Sequence, residues 1–408
     1  MNINNFEIIN GGTITTVPDV FAASCHCGIR KWKEDFAVIF VPGETVCSGV
    51  FTKNKFAAAP VLINRQQLRN NRNINAIIIN SGIANACTGF EGIDNGKKEI
   101  EIASRYLKIN PENILVSSTG RIGKQIPLDK IEKGLEICSR SLSRDGGHHA
   151  ARAILTIDKH PKEIALKMNL KNQDVLIGGI AKGSVMVEPD MATTLAFLAT
   201  NAGISASTLD LLLFECIDKT FNCISTDGCQ STNDMVIIIA NGNSEVEINE
   251  EDKTNYEHFK SGLMYILEGL SKMIVEDGEG ATKVIEINVV GAKDMVEARR
   301  VGKRVANSIL FKAAMYGEDL NWGRIASAVG SIDSSIDCSK VDILLSDMAV
   351  MRNGVAANYD EEHAGRLLND RYINFVINLN SGHGSAKVLT NDISSEYIKI
   401  NALYKKQK

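Results

Sequence analysis

The stretch Lys182-Gly-Ser-Val-Met-Val-Glu-Pro-Asp-Met-Ala-Thr193-Thr-Leu-Ala-Phe197 joins a loop punctuated by Gly183 and Pro189 to an apolar run, Leu195 to Ala199. That run reads as a buried strand, with Thr193 at its entrance directly after a small residue. A chain that cut itself before Thr193 would expose a new N-terminal threonine. Such a residue carries a hydroxyl nucleophile and, in its own α-amino group, a base with a reference pKa of about 7.7–8.0. One residue would then supply both halves of an acyl-transfer site. The same residues also suit an ordinary threonine entering a strand, and spacing alone favours that plainer reading.

Outward from this point, short apolar strands alternate with amphipathic helices. Strands are predicted at Phe36–Phe40, Ala76–Asn80, Ile114–Val116, Val175–Ile180, Leu195–Ala199, Met235–Ala240, Val284–Val290, Val341–Leu345 and Ile373–Leu379. Helical periodicity marks Lys97–Lys108, Leu128–Leu142, Thr208–Phe221, Tyr256–Val275, Val296–Met315 and Glu361–Leu368. Asp129 and Ser207 fall at capping or first-turn positions. The order is that of an α/β chain with mixed sheets, not a repeated βαβ string. The hydrophilic stretch from Asn243 to Asn255 is the best loop between subdomains, and a second composition break falls near Glu279–Ala281.

With 408 residues the chain has room for two or three domains and a large core. Its 44% hydrophobic and 23% charged residues are those of a globular protein and exclude disordered and fibrous classes. A net charge of −4 gives no reason to expect nucleic acid or an anionic membrane as partner. No apolar run is long enough to span a bilayer, and Met1-Asn-Ile-Asn-Asn-Phe does not open as a signal peptide. The nine scattered cysteines suit reduced thiols, so a cytoplasmic location is expected. Cys25-His-Cys27 has too short a gap for a structural zinc pair and no second pair to complete it. No metal is expected. Thr119-Gly-Arg-Ile-Gly-Lys124 lacks phosphate-loop spacing, so no nucleotide cofactor is expected either.

The segment ending at Thr193 resembles the self-cleavage site of the ornithine acetyltransferase family, the bifunctional glutamate N-acetyltransferases of arginine biosynthesis. The resemblance continues through Phe51-Thr-Lys-Asn-Lys-Phe-Ala-Ala-Ala-Pro60, Asn80-Ser-Gly-Ile-Ala-Asn-Ala-Cys-Thr-Gly89 and Ser117-Ser-Thr-Gly-Arg-Ile-Gly123. Further blocks are Ser231-Thr-Asn-Asp234, Glu276-Asp-Gly-Glu-Gly-Ala-Thr-Lys283, Asn321-Trp-Gly-Arg324 and Ile400-Asn401-Ala. They keep the family order across essentially the whole chain. The resemblance implies a layered α/β sandwich with mixed sheets, of the self-cleaving ornithine acetyltransferase/aminopeptidase type, plus a second, smaller α/β domain. Domains are accordingly expected at residues 1–240 and 241–408. Cleavage between Ala192 and Thr193 would leave residues 1–192 and 193–408 folded together, in a heterotetramer.

For the chemistry, the resemblance implies acetyl transfer from N2-acetylornithine to glutamate through an acetyl ester on Thr193. It also implies acetyl-CoA as a further co-substrate in the bifunctional members. Thr119 and Gly120 would form the oxyanion hole; a Gly N–H approaches a tetrahedral intermediate closely, and each such donor is worth ~3 kcal/mol. Their plainer reading is a strand-to-helix turn after Ile114-Leu-Val. Lys182 would hold a substrate α-carboxylate and Glu279 an ammonium, although a loop lysine and a Gly-acid turn are usually just solvated. Thr156 and Asn401 match the remaining substrate contacts. Lys406 stands where the family has Thr or Ser for another.

Other departures are Ile83, Ile157, Lys159, Val185, Glu188 and Thr194; Val185 would restrict the backbone of a loop that must strain to cleave. A self-cleaving amidohydrolase or aminopeptidase, and a catalytically silent binding relative, remain as competing readings.

Overall fold

The computed structural model describes residues 6–188, 194–332 and 336–402. The chain divides into two compact units. The first takes in the described residues of Met1–Gly183, Asp190–Phe221 and Gln230–Ser271; the second takes in those of Ser184–Pro189, Asn222–Cys229 and Lys272–Lys408. The division falls inside the long helix Lys253–Glu276, some way beyond the expected boundary at 240. The hydrophilic stretch 243–255 is no linker. Val246 and Ile248 are buried, Val246 O accepts from Gly203 N at 2.8 Å, and Asp252 pairs with Lys171 at 3.0 Å within the first unit.

The first unit's strands are β1 (Phe6–Ile8), β2 (Phe21–Cys25), β3 (Phe36–Phe40), β4 (Val46–Phe51), β5 (Ala76–Ile83), β6 (Ile114–Arg121), β7 (Lys162–Leu170), β8 (Gln173–Lys182), β9 (Leu195–Thr200), β10 (Gly203–Ile204), β11 (Met235–Ala240) and β12 (Glu247–Ile248). Six of them form a sheet in the order β1-β7-β8-β9-β11-β4, and four form a second in the order β2-β3-β5-β6. Both are mixed, with β9/β11 and β5/β6 as their parallel pairs. Period-two alternation sorts the side chains of the four-stranded sheet. Ala37, Ile39, Ile77 and Ile79 pack with Phe197, Ile237 and Ile239 of the six-stranded sheet. Phe36, Val38 and Ile78 pack on the opposite side with Ile100, Ile131 and Leu135 of the helices Gly89–Leu107 and Leu128–Ser141. Each fully buried side chain of this size contributes about 1.5–3 kcal/mol, so these faces fix the layering.

The second unit adds β13 (Val284–Ala292), β14 (Asp342–Leu345), β15 (Met348–Arg352), β16 (Val355–Ala356), β17 (Tyr372–Asn378) and β18 (Gly384–Asn391), in the order β16-β15-β14-β17-β13-β18. Its core gathers Ile285, Ile287, Phe375 and Ile377 with Val301, Phe311 and Ile325 from helices. Phe311 and Phe375 meet edge-on at 5.6 Å.

The helix expected across Val296–Met315 is two: Met295–Ala306 and Ile309–Tyr316. The break is at Asn307-Ser308, where Ser308 Oγ accepts from Phe311 N at 3.4 Å and caps the second helix. Asn and Ser side chains compete with the helix backbone for hydrogen bonds. The apolar period continues in phase across the break, which hides it from pattern reading.

Candidate active site

In the first unit the oxyanion candidates both lie on β6, which pairs in parallel with β5. β5 and β6 run in register from Ala76/Ile114 to Ile83/Arg121, pairing Ser81 with Thr119 and Gly82 with Gly120. The turn reading of Thr119-Gly120 therefore fails; both residues are inside a strand that extends to Arg121. Gly120 has φ +130°, and a Cβ there would stand 2.3 Å from the Gly82 carbonyl carbon. Only glycine permits this approach. The pair of strands is locked from outside. Asn64 donates to Val116 O at 2.8 Å and accepts from Val116 N at 3.1 Å. Asn233 Nδ2 donates to Ser118 O at 2.8 Å and also to Ala84 O.

Four of the quoted sequence blocks, those holding Thr52, Asn85, Thr119 and Ser231, meet here. Thr52 Oγ1 donates to Ser231 O at 3.0 Å, Ala58 N to Thr232 O at 2.8 Å, and Ala59 N to Asn85 O at 3.0 Å.

Thr156 and Lys182 join the same neighbourhood through Asp158, a residue the sequence reading did not single out. Asp158 Oδ1 accepts from Lys162 Nζ at 2.9 Å and from Gly183 N at 2.7 Å. Its Oδ2 accepts from Thr156 N at 3.1 Å and stands 4.0 Å from Lys182 Nζ. Burial alone would raise this carboxyl's pKa. Lys182 and Lys162 outweigh burial and hold it below the usual carboxylate range.

Lys182 Nζ in turn donates to Thr119 Oγ1 at 3.4 Å, leaving the threonine's own hydroxyl proton for another acceptor. Asp158 is closer to Lys162 than to Lys182, so Lys182 is the less compensated cation. Arg30 anchors the turn by donating to Leu155 O at 2.6 Å and Thr156 O at 2.9 Å.

At the entrance to β9, Thr194 O accepts from Met235 N at 2.9 Å, which sets Thr194 beside Asp234. Burial pushes the Asp234 carboxyl well above the usual range, against the pull of Ser231 and Lys182, and so favours the neutral acid. Thr194 Oγ1, Asp234 Oδ2 and Ser117 Oγ are all buried without a hydrogen-bond partner among the described residues.

In the second unit, Asn401 Nδ2 donates to Glu279 Oε2 at 2.7 Å, joining the two candidate substrate contacts there. The C-terminal segment cradles the Glu279 turn. Ser394 Oγ donates to Gly280 O at 2.6 Å, and Asp392 accepts from Thr282 N at 2.8 Å and Lys283 N at 2.9 Å. Asn391 Nδ2 donates to Val275 O at 3.2 Å and presses so closely on Gly278 that a Cβ there would lie 1.8 Å away.

Lys312, fully buried, holds Asn391 through its carbonyl and through Oδ1 at 3.2 Å, and bonds Thr390 Oγ1 at 2.7 Å. Burial pushes the Lys312 ammonium down to about 7, with Asp392 and Asp227 opposing. An amine depressed in the folded state binds fewer protons than the unfolded chain between about pH 7 and its ordinary value of 10.5, so stability rises with pH there. From pH 7 to 9 this group is expected to add about 2–3 kcal/mol to the unfolding free energy. Urea melts across that range should show the rise, and Lys312→Met should abolish it.

Of the residues expected at the site, Thr119, Gly120, Thr156 and Lys182 gather in the first unit, and Glu279 and Asn401 in the second. Ala192, Thr193 and Lys406 lie outside the described residues. Among the described residues no group of three or more His, Cys, Asp or Glu could hold a metal ion, and no helix is long and apolar enough to cross a membrane.

The family model described as ArgJ family matches residues 21–406. The chain is 40% identical over 404 residues to the arginine biosynthesis bifunctional protein ArgJ of Caldanaerobacter subterraneus subsp. tengcongensis, covering 98% of this chain and 100% of that one. The chain belongs to the ArgJ family. ArgJ 1 of Clostridium acetobutylicum is likewise 40% identical over 408 residues, covering 99% of this chain and 100% of that protein. Two solved structures are also similar to parts of this ArgJ-family chain. The arginine biosynthesis bifunctional protein of Bacillus halodurans is 31% identical, with a TM-score of 0.44, covering 46% of this chain and 98% of that one. The ornithine acetyltransferase of Mycobacterium tuberculosis, complexed with ornithine, is 33% identical, with a TM-score of 0.44, covering 46% of this chain and 100% of that one.

Proposed function

We propose that this chain moves an acetyl group from N2-acetylornithine to glutamate through an acetyl ester on Thr193. It gains Thr193 as an N-terminal residue by cutting itself at Ala192–Thr193. Membership of the ArgJ family makes the chain an acyltransferase of arginine biosynthesis; the mechanism and the residue roles are our reading. The observation that carries the reading is the Asp158–Lys182–Thr119 chain, which sets a half-buried cation beside a hydroxyl donor.

In cleavage, Thr193 Oγ attacks the Ala192 carbonyl carbon and the C–N bond breaks. The released amine takes up the hydroxyl proton, and water hydrolyses the resulting ester to an Ala192 carboxylate and a free Thr193. In transfer, the Thr193 α-amino group takes the hydroxyl proton as Oγ attacks the acetyl carbonyl of the donor. Thr119 and Gly120 donate to the oxyanion, and the proton leaves with the ornithine amine. Glutamate's amine then attacks the ester and restores the hydroxyl. Lys182 pairs with a substrate α-carboxylate, Thr156 orients it, and Glu279, braced by Asn401, takes an ammonium. The name bifunctional carried by the relatives supports acetyl-CoA as a second donor. The processed chains, 1–192 and 193–408, are read as two copies of each in the assembly.

Because donor product leaves before glutamate reacts, initial rates against both substrates should give parallel double-reciprocal lines. N-acetylglutamate should be the product when glutamate is present. Intersecting lines would overturn the shared ester. Acetate in place of N-acetylglutamate would favour the amidohydrolase reading.

A further inference from the structure

The arm that leads into the cleavage point, Ser184 to Glu188, is built into the second unit by side chains with no part in the transfer chemistry. Asp227 is its clamp. Oδ2 accepts from Met186 N at 2.6 Å and Oδ1 from Val187 N at 3.0 Å. Oδ1 also accepts from Cys229 N at 3.1 Å, so the carboxylate is fixed to its own loop as well. On the other side of the arm Val187 O accepts from Thr226 N at 2.7 Å, and the Val187 side chain is fully buried.

Between these bonds the backbone takes a conformation that L-residues avoid. Met186 has φ +60°, while Val185 is not among the positive-φ residues. The left-handed residue of this arm is thus Met186 and not Val185. A left-handed non-glycine residue costs about 1–2 kcal/mol and persists only where its surroundings hold it.

Two further anchors complete the arm. Upstream, Ser184 Oγ donates to Asp277 O at 2.8 Å, and Ser184 O accepts from Glu279 N at 3.2 Å. Downstream, Glu188 Oε1 accepts from Asn307 Nδ2 at 2.7 Å, and Asn307 Oδ1 accepts from Ser225 Oγ. Asn307 is the residue at which the expected long helix breaks, and Glu188 is one of this chain's departures from the family pattern.

We infer that Asp227, with the Glu188–Asn307–Ser225 latch, is a positioning device for self-cleavage at Ala192–Thr193. It holds the arm from Ser184 to Glu188 in one conformation and has no part in acetyl transfer once the chain is cut. The latch ends four residues before Ala192. Fixing the arm removes conformational freedom that would otherwise be lost on reaching the attacking geometry, which is how orientation speeds an intramolecular reaction. This inference rests on the proposed cleavage at Thr193.

The test follows freshly made full-length protein by intact mass and, after processing is complete, measures transfer kcat. Glu188→Ala and Asp227→Ala are expected to convert at least about tenfold more slowly than wild type, since orientation effects of this size follow small misplacements. Glu188→Gln keeps the acceptor oxygen for Asn307 and should convert at nearly the wild-type rate. All fully processed forms should share one kcat. Wild-type processing with unchanged rates in Glu188→Ala and Asp227→Ala would overturn the inference alone. A fall in kcat of processed Glu188→Ala would overturn it too, by placing the latch in transfer. Absence of a chain beginning at Thr193 in the wild type would overturn the proposed function with it. If Asp227→Ala does not fold, the Glu188 pair decides.

Discussion

Thr193→Ala is expected to remain a single chain of 408 residues and to transfer no acetyl group. Both losses have one cause. In the proposed mechanism the hydroxyl attacks the Ala192 carbonyl during cleavage and the acetyl carbonyl during transfer, and the α-amino base exists only after cleavage. Removing a nucleophile typically costs on the order of 10⁴–10⁶ in turnover, so the loss should look complete in any ordinary assay. Thr193→Ser should still be cut, because the hydroxyl is retained. Intact mass separates the outcomes directly, since wild type should split into chains of 1–192 and 193–408. Efficient cutting of the alanine variant, or acetyl transfer by it, would return Thr193 to the plain reading of a threonine entering β9. The variant also calibrates the latch. Glu188→Ala should delay the appearance of two chains, whereas Thr193→Ala should prevent it.

Much of the fold was legible because burial leaves a regular mark. β11 was predicted to the residue, and its six residues are all buried between neighbours on both sides, leaving one continuous apolar run. Two of the strands that escaped, β18 and β7, are of another kind. β18, Gly-Ser-Ala-Lys-Val-Leu-Thr-Asn, is an edge strand with alternating exposure and few apolar residues, and its register comes from β13. β7 carries three charged residues among nine, yet pairs along its whole length with β8.

The site divides in the same way. Thr119, Gly120, Thr156, Lys182, Glu279 and Asn401 stood out by family resemblance, and the structure brings them together in two groups. Arg30 did not, because it reaches Leu155 and Thr156 across 125 and 126 positions of sequence. Asp227 was missed for a similar reason, since its partners Met186 and Val187 precede it by about forty residues. Asp158 had one local signal, a lysine four residues on, but that pattern is ordinary on any exposed helix. Only burial turns it into a functional clue.

Asp158→Ala is expected to destabilise the protein by about 3–5 kcal/mol, the usual result of breaking a buried ion pair from one side. Lys162 has a side chain only 1% exposed, and Asp158 is the carboxylate it bonds at 2.9 Å. The same change frees Gly183 N and Thr156 N, both held on Asp158. It also removes the carboxylate that stands between Lys182 and Lys162, so Lys182 should leave Thr119. Activity should therefore fall even in the fraction that stays folded, through a raised KM for both amino acids.

Asp158→Asn retains one acceptor oxygen and the side-chain shape, and should fall between wild type and alanine in both respects. The sign with pH follows from the lowered carboxyl. Its contribution is complete above the unfolded value of about 3.9 and is lost as pH falls below that toward its own lower pKa. The gap between wild type and Asp158→Ala should thus stay level from pH 9 to pH 5 and narrow in acid. Urea melts at pH 8, 6 and 3.5 measure it. A penalty under about 1 kcal/mol at neutral pH, the range of exposed pairs, would mean that Lys162 and Lys182 are solvated and that Asp158 positions neither.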